Sequence, residues 1–186
     1  MQCQRPGIWQ LSSAIKVSIF NMEPNPVTYH TNSKTGRWRA IIFAGLLVGT
    51  LDMLAAVTVY QANPGQIFKF IASGAFGAGR AFGGGPIMVV WGIAFHYAIA
   101  FAWTSAFFLV YPWFPMLWRN KYITGSLYGI FIWSIMNLIV IPLSAIPANP
   151  FNLTSATIAA SILIVAVGLP IAFLAHRYYS RNGVLP

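Results

Sequence analysis

Acidic side chains are nearly absent from this chain: Glu23 and Asp52 stand alone among 186 residues. Charge of either sign is scarce, at 7% of residues, while 58% are hydrophobic. A soluble domain of this size needs far more charge to cover its surface, so a water-soluble globular fold is excluded. Cysteine occurs once, as Cys3, which rules out an intramolecular disulfide or a thiol metal cluster. The three histidines, His30, His96 and His176, show neither metal-ligand spacing nor a bis-histidine haem pattern, and no cofactor is called for. The net charge of +9 would suit nucleic acid, but the basic residues lie in short segments beside apolar runs. That distribution fits the positive-inside bias of membrane proteins and argues against nucleic-acid binding, for which there is neither a basic groove nor a recognised motif.

What is abundant is uninterrupted apolar sequence. Four runs, residues 40–60, 86–111, 122–144 and 155–176, each reach the roughly 20 residues that cross a bilayer. The expected fold class is therefore all-α, a polytopic transmembrane four-helix bundle. Arg39, Arg119, Lys121, Arg177 and Arg181 flank one set of ends, and Lys16, Lys34 and Arg37 reinforce it. This places both termini in the cytoplasm; the reverse topology would put nine basic residues outside and two inside. Tyr111, Trp113, Trp118 and Tyr122 suit an interfacial aromatic belt between spans two and three.

Residues 1–39 read as a cytoplasmic amino-terminal segment, 40–176 as the membrane domain and 177–186 as a cytoplasmic tail. The leader is too long for a typical cleaved signal, so the first run reads as a retained span, and no lipidation motif is seen. Ile8, Leu11, Ile15 and Ile19 fall near one helical face that could lie on the membrane surface or dock on a partner subunit. Between spans one and two, Asn63-Pro64-Gly65 is a strong turn. The stretch after it carries Lys69, Arg80 and six further glycines. A short interfacial helix near 66–73 followed by a compact glycine-rich turn is expected, with a re-entrant element as the alternative. The glycine series is neither a phosphate loop nor a dinucleotide fingerprint.

Asp52 is the residue on which function turns, because an ionised carboxylate in an apolar helix must face protein, a partner or water. It lies eight residues from the outer end of its span, roughly 12 Å deep at helical rise. His96 lies ten residues from the outer start of span two, roughly 15 Å deep. Asn137 lies seven residues before the outer end of span three, roughly 10 Å deep. Asp52, His96 and Asn137 can thus share one layer, as a proton-responsive site or as a permanent hydrogen-bonded staple. Gly45, Gly49 and Ala56 beside Asp52, Gly92 and Ala100 beside His96, and Gly125 with Gly129 allow close helix contact, within the chain or between copies in a homo-oligomer. Arg80 is a candidate anion or phosphate contact that could also bend toward Asp52; its plain alternative is an interfacial arginine, as for Lys69. Pro142 loosens the end of span three, with Asn137 and Ser144 placed to satisfy the exposed carbonyls. Asn152-Leu-Thr154 matches a glycosylation acceptor pattern too common to establish modification.

Taken together, LDMLAA, IASG, Gly92-Ile-Ala-Phe-His96-Tyr-Ala-Ile-Ala and GSLYGIFIWSIMNLIVIPLS resemble a widespread group of uncharacterised small bacterial inner-membrane proteins, distantly connected to YagU-like proteins. The resemblance covers residues 40–176 and implies a four-helix integral protein of the bacterial inner membrane; it transfers no reaction. Asp52, His96 and Asn137 occupy its polar positions, whereas Arg80 departs from the small or apolar residues expected there.

Three functions remain open from the sequence. The first is proton- or ion-responsive transport. The second is a structural module that binds a membrane-protein partner or lipids. The third is an acid/base enzyme acting on a lipid-like substrate through Asp52 and His96, which lacks an electrophile-stabilising group unless Arg80 supplies it.

Overall fold

The structure, a computed structural model, describes residues 34–146 and 152–183. The expectations for Cys3, Lys16, Glu23, His30 and the Ile8–Ile19 face lie outside the described residues. Every regular element among those residues is helical. Helix α1 covers Lys34–Tyr60, α2 Pro64–Phe76, α3 Ala78–Gly83, α4 Pro86–Val110 and α5 Lys121–Ile135. A π-helical turn, Met136–Val140, then leads into α6, Ile141–Leu143. Helix α7, Leu153–Ile162, runs through a second π-helical stretch, Leu163–Gly168, into α8, Leu169–Arg181. Four stretches are long and apolar enough to cross a membrane: Gly36–Tyr60, Pro86–Trp113, Lys121–Leu143 and Leu153–Arg181. The protein is a polytopic four-helix membrane bundle.

Aromatic packing joins the spans at one end. Tyr111, at the end of span two, stacks on Tyr179 near the end of span four, with ring centroids 5.8 Å apart. Its hydroxyl also hydrogen-bonds His176 Nδ1 at 3.1 Å. Trp118 Nε1 donates to the Tyr111 carbonyl at 2.8 Å and Thr124 Oγ1 to the Leu117 carbonyl at 3.0 Å, drawing in the start of span three. Ile41, Ala44, Phe107, Phe108, Ala172 and Ala175 complete this core. The beginnings of spans one and three therefore meet the ends of spans two and four, an up-down arrangement. Arg37, Arg39, Arg119, Lys121, Arg177 and Arg181 mark this same end, whereas Lys69 and Arg80 belong to the opposite connection.

The small-residue faces are occupied within the chain. Gly45 lies against the Phe101 ring, and Gly49 against Tyr97 and Ala100. Gly125 and Gly129 meet the backbone of Gly168, Leu169 and Ile164, so spans three and four touch main chain to main chain. These glycines therefore give no argument for contact between copies. The outward surface is apolar, with Leu54, Val90, Leu127 and Val165 all exposed, as a lipid-facing surface should be.

The glycine-rich connection is more helical than expected. Asn63 caps α2 by accepting from the Gly65 amide at 2.8 Å, and Pro64 occupies the first turn, where its missing N–H costs nothing. Gly77 and Gly85 have φ of 78° and 68°, values that glycine adopts without steric cost, and they separate α2, α3 and α4. Helix α2 packs across α4, where Gly92 lets the Phe68 backbone approach. The loop after span three holds α2 from the other side, the Ala145 amide donating to the Gly74 carbonyl at 2.9 Å.

Candidate functional site

The two π-helical stretches arise from proline. A proline in a helix lacks the N–H that bonds the carbonyl four residues back, and its ring crowds that carbonyl. Membrane helices tolerate this by local widening. Pro142 follows Met136–Val140 by two positions, and Pro170 follows Leu163–Gly168 by two. In both cases the residue just before the proline bonds five residues back: the Ile141 amide to Met136 and the Leu169 amide to Ile164. Met136 and Val140 from the first stretch, and Leu163 and Val167 from the second, line a common cavity.

This cavity has a volume of about 460 Å³. Val48, Gly49 and Asp52 contribute from α1; Phe70, Ile71, Gly74 and Ala75 from α2; Phe95, His96, Ile99 and Trp103 from α4. Ile132, Ile141, Ser144 and Ile146 close it at span three and the loop beyond. Among the described residues, the ionisable side chains in its wall are Asp52 and His96. His96 is buried, 9% exposed, and its Nε2 lies 2.8 Å from the Gly49 carbonyl. A carbonyl only accepts, so Nε2 carries hydrogen and donates, leaving Nδ1 to take a second proton. Phe68 and Tyr97 meet the imidazole edge-to-face at centroid distances of 6.2 and 5.4 Å. Tyr97 is itself fixed by its hydroxyl, 2.9 Å from Thr50 Oγ1.

Asp52 is half-buried on the next turn of α1 after Gly49 and interacts electrostatically with His96. Among the described residues no side chain forms an ion pair with it. Asp52 is therefore an acceptor facing an apolar cavity, with His96 as its ionisable neighbour. Ser144 also lines the wall, but its hydroxyl is engaged by the backbone, donating to the Ile141 carbonyl at 2.7 Å and accepting from the Ile146 amide at 3.3 Å.

Two expectations are corrected. Asn137 does not join the layer: it is exposed on the outward side of span three, its Nδ2 donating to the Trp133 carbonyl at 2.9 Å. It satisfies the backbone where the helix widens, so its depth matched while its direction did not. Arg80 does not bend toward Asp52. It is exposed on the short helix α3 and lies outside the cavity wall. Asn152, within the glycosylation-type pattern, caps α7 by accepting from the Ser155 amide at 3.1 Å.

Sequence reasoning missed the α2 wall and the second widened turn. Pro170, six residues from the end of the expected fourth span, was the available signal for the latter. Among the described residues no cluster of three or more metal-ligating side chains occurs. Fold and site together define a small all-α polytopic membrane protein with an apolar cavity bearing one carboxyl group and one imidazole. No protein-family model, curated protein or solved structure matches the chain.

Proposed function

We propose that the protein is a proton-responsive membrane transporter whose cargo is a small lipophilic molecule bearing one basic or cationic group. The observation that carries this reading is the cavity. Its volume of about 460 Å³ is that of a small-ligand pocket. Apolar walls disfavour a hydrated ion path but favour an apolar body, and Asp52 supplies one fixed contact for a positive head. His96 would compete electrostatically with such a cargo when it gains a second proton, which is how proton and cargo would be coupled. Orientation with both termini in the cytoplasm, and placement in a bacterial inner membrane, belong to this proposal; they rest on the basic residues and on the resemblance to YagU-like proteins.

An acid/base enzyme is less well supported, since the one electrophile-stabilising candidate, Arg80, lies outside the cavity. A structural module is favoured by a specific observation, the His96–Gly49 bond joining spans one and two. That bond does not account for Asp52.

The test is flux of lipophilic cations and of matched neutral analogues in sealed liposomes, with an imposed pH gradient. The parent is compared with Asp52→Asn and His96→Gln after insertion and melting temperature are checked. Expected is cation flux that depends on the gradient and falls by roughly tenfold or more in Asp52→Asn, since that change removes the charge facing the cargo. Equal flux of neutral analogues, or cation flux untouched by Asp52→Asn, would overturn the reading. Absence of any parent flux would favour the structural module.

A further inference from the structure

A second cleft, of about 420 Å³, opens at the basic end of the bundle between the start of span three and the end of span four. Lys121, His176, Arg177, Ser180 and Arg181 line it, over an apolar floor that includes Phe173. Lys121 is held in place: its Nζ sits 4.7 Å from the centre of the Phe173 ring and 5.8 Å from that of Tyr122. The His176 ring spends Nδ1 on Tyr111, which leaves Nε2 as its second ring nitrogen. Like charges gathered this closely repel unless an anion sits among them. Among the described residues none is supplied there: Asp52 is the one acidic residue among them, and it lies beside His96 in the other cavity.

We infer that this cleft is a binding site for a phosphate group, and specifically for the headgroup of an anionic membrane lipid. Two arginines one helical turn apart present planar donor forks that suit phosphate oxygens, and Lys121 adds a point charge from the facing helix. Ser180 offers a neutral donor between them. Tyr122 and Trp118, beside the cleft in sequence, mark the depth at which aromatic belts meet headgroups. The floor formed by Phe173 and Leu174 is apolar, as the glycerol and upper acyl carbons of a lipid require. Basic pockets between membrane helices are a recurring form of headgroup recognition. The site is independent of the Asp52 cavity, with which it shares no residue.

The probes are phosphatidylglycerol, phosphatidylcholine and inorganic phosphate, each titrated into full-length protein in a neutral detergent. Bound lipid is read by native mass spectrometry and protection by thermal shift. Phosphatidylglycerol should be retained in preference to phosphatidylcholine. Arg177→Gln with Arg181→Gln should weaken that retention by roughly tenfold or more, whereas Arg39→Gln, at the same end but outside the cleft, should change it by about twofold at most. The same variant dependence for inorganic phosphate would assign the site to soluble phosphate groups rather than lipid. Equal retention of both lipids, or an equal loss in Arg39→Gln, would overturn the site. If the double glutamine variant does not fold, the parent decides: retention unchanged by about a tenfold rise in salt would exclude a charge-built site.

Discussion

His96 divides its two nitrogens between two tasks. Nε2 is committed to the Gly49 carbonyl, so the ring is fixed and its remaining chemistry lies at Nδ1. Replacing it with glutamine keeps a donor and should cost about 1 kcal/mol or less, while leucine loses the whole bond, about 0.5–1.5 kcal/mol. Gly92 is more demanding. A Cβ there would collide with the main chain of Phe68, which cannot swing aside as a side chain can. Gly92→Ala should therefore destabilise the protein by about 1–3 kcal/mol, the range for overpacking. Reversible unfolding in mixed micelles would measure this; a variant as stable as the parent would mean that α2 does not pack here. Asp52 and His96 could be recognised in the sequence because ionisable groups in an apolar run have few places to go. Asn137 could not be placed in the same way. Depth gives height along the helix, but direction depends on phase, and the π turn beginning at Met136 alters that phase at this point.

At the scale of elements, the two prolines shape the cavity without lining it. Pro142 and Pro170 each force a widened turn, and both turns put side chains into the cavity wall. Pro142→Ala and Pro170→Ala restore an amide and should let an ordinary helical turn form. The expected outcome is a more stable protein, since each interior proline costs about 3 kcal/mol relative to alanine, together with weaker binding of lipophilic cations as the wall closes. Thermal melts alongside equilibrium binding would show whether the two effects separate. Unchanged cation binding in both variants would detach the π turns from the site. The four spans were legible because length and hydropathy suffice for them. Helix α2 was less so: the glycines of the connection read as breaks, yet of these only Gly77 and Gly85 adopt positive φ, while Gly74 lies inside the helix against Ser144 and Ile146. Propensity alone does not show which glycine bends the chain and which admits a neighbour.

For the whole molecule, the basic end gathers the starts of spans one and three with the ends of spans two and four. The proposed orientation puts that end in the cytoplasm. The single cysteine, Cys3, makes a direct check feasible without background from other thiols. A membrane-impermeant maleimide should leave Cys3 unlabelled in intact cells and label it once the membrane is permeabilised. Labelling in intact cells would reverse the orientation and move the phosphate cleft to the outer leaflet. The glycine faces, which suited assembly between copies as well as folding within one, are spent inside the chain. That distinction needed the partner atoms of each glycine and was not available from spacing.

The two ends of the bundle are packed in different ways. At one, Phe108, Tyr111, Ala172, Ala175 and Tyr179 are essentially inaccessible, and their rings and hydroxyls tie span two to span four. At the other, Phe76 of α2 packs its ring against Trp91 and Phe95 of α4, and the cavity lies between this pair of helices and the widened turns. A cargo of the proposed kind, apolar apart from one charged group, would partition into the bilayer before it reached such a cavity, so its supply to the site would follow its solubility in lipid rather than its level in water.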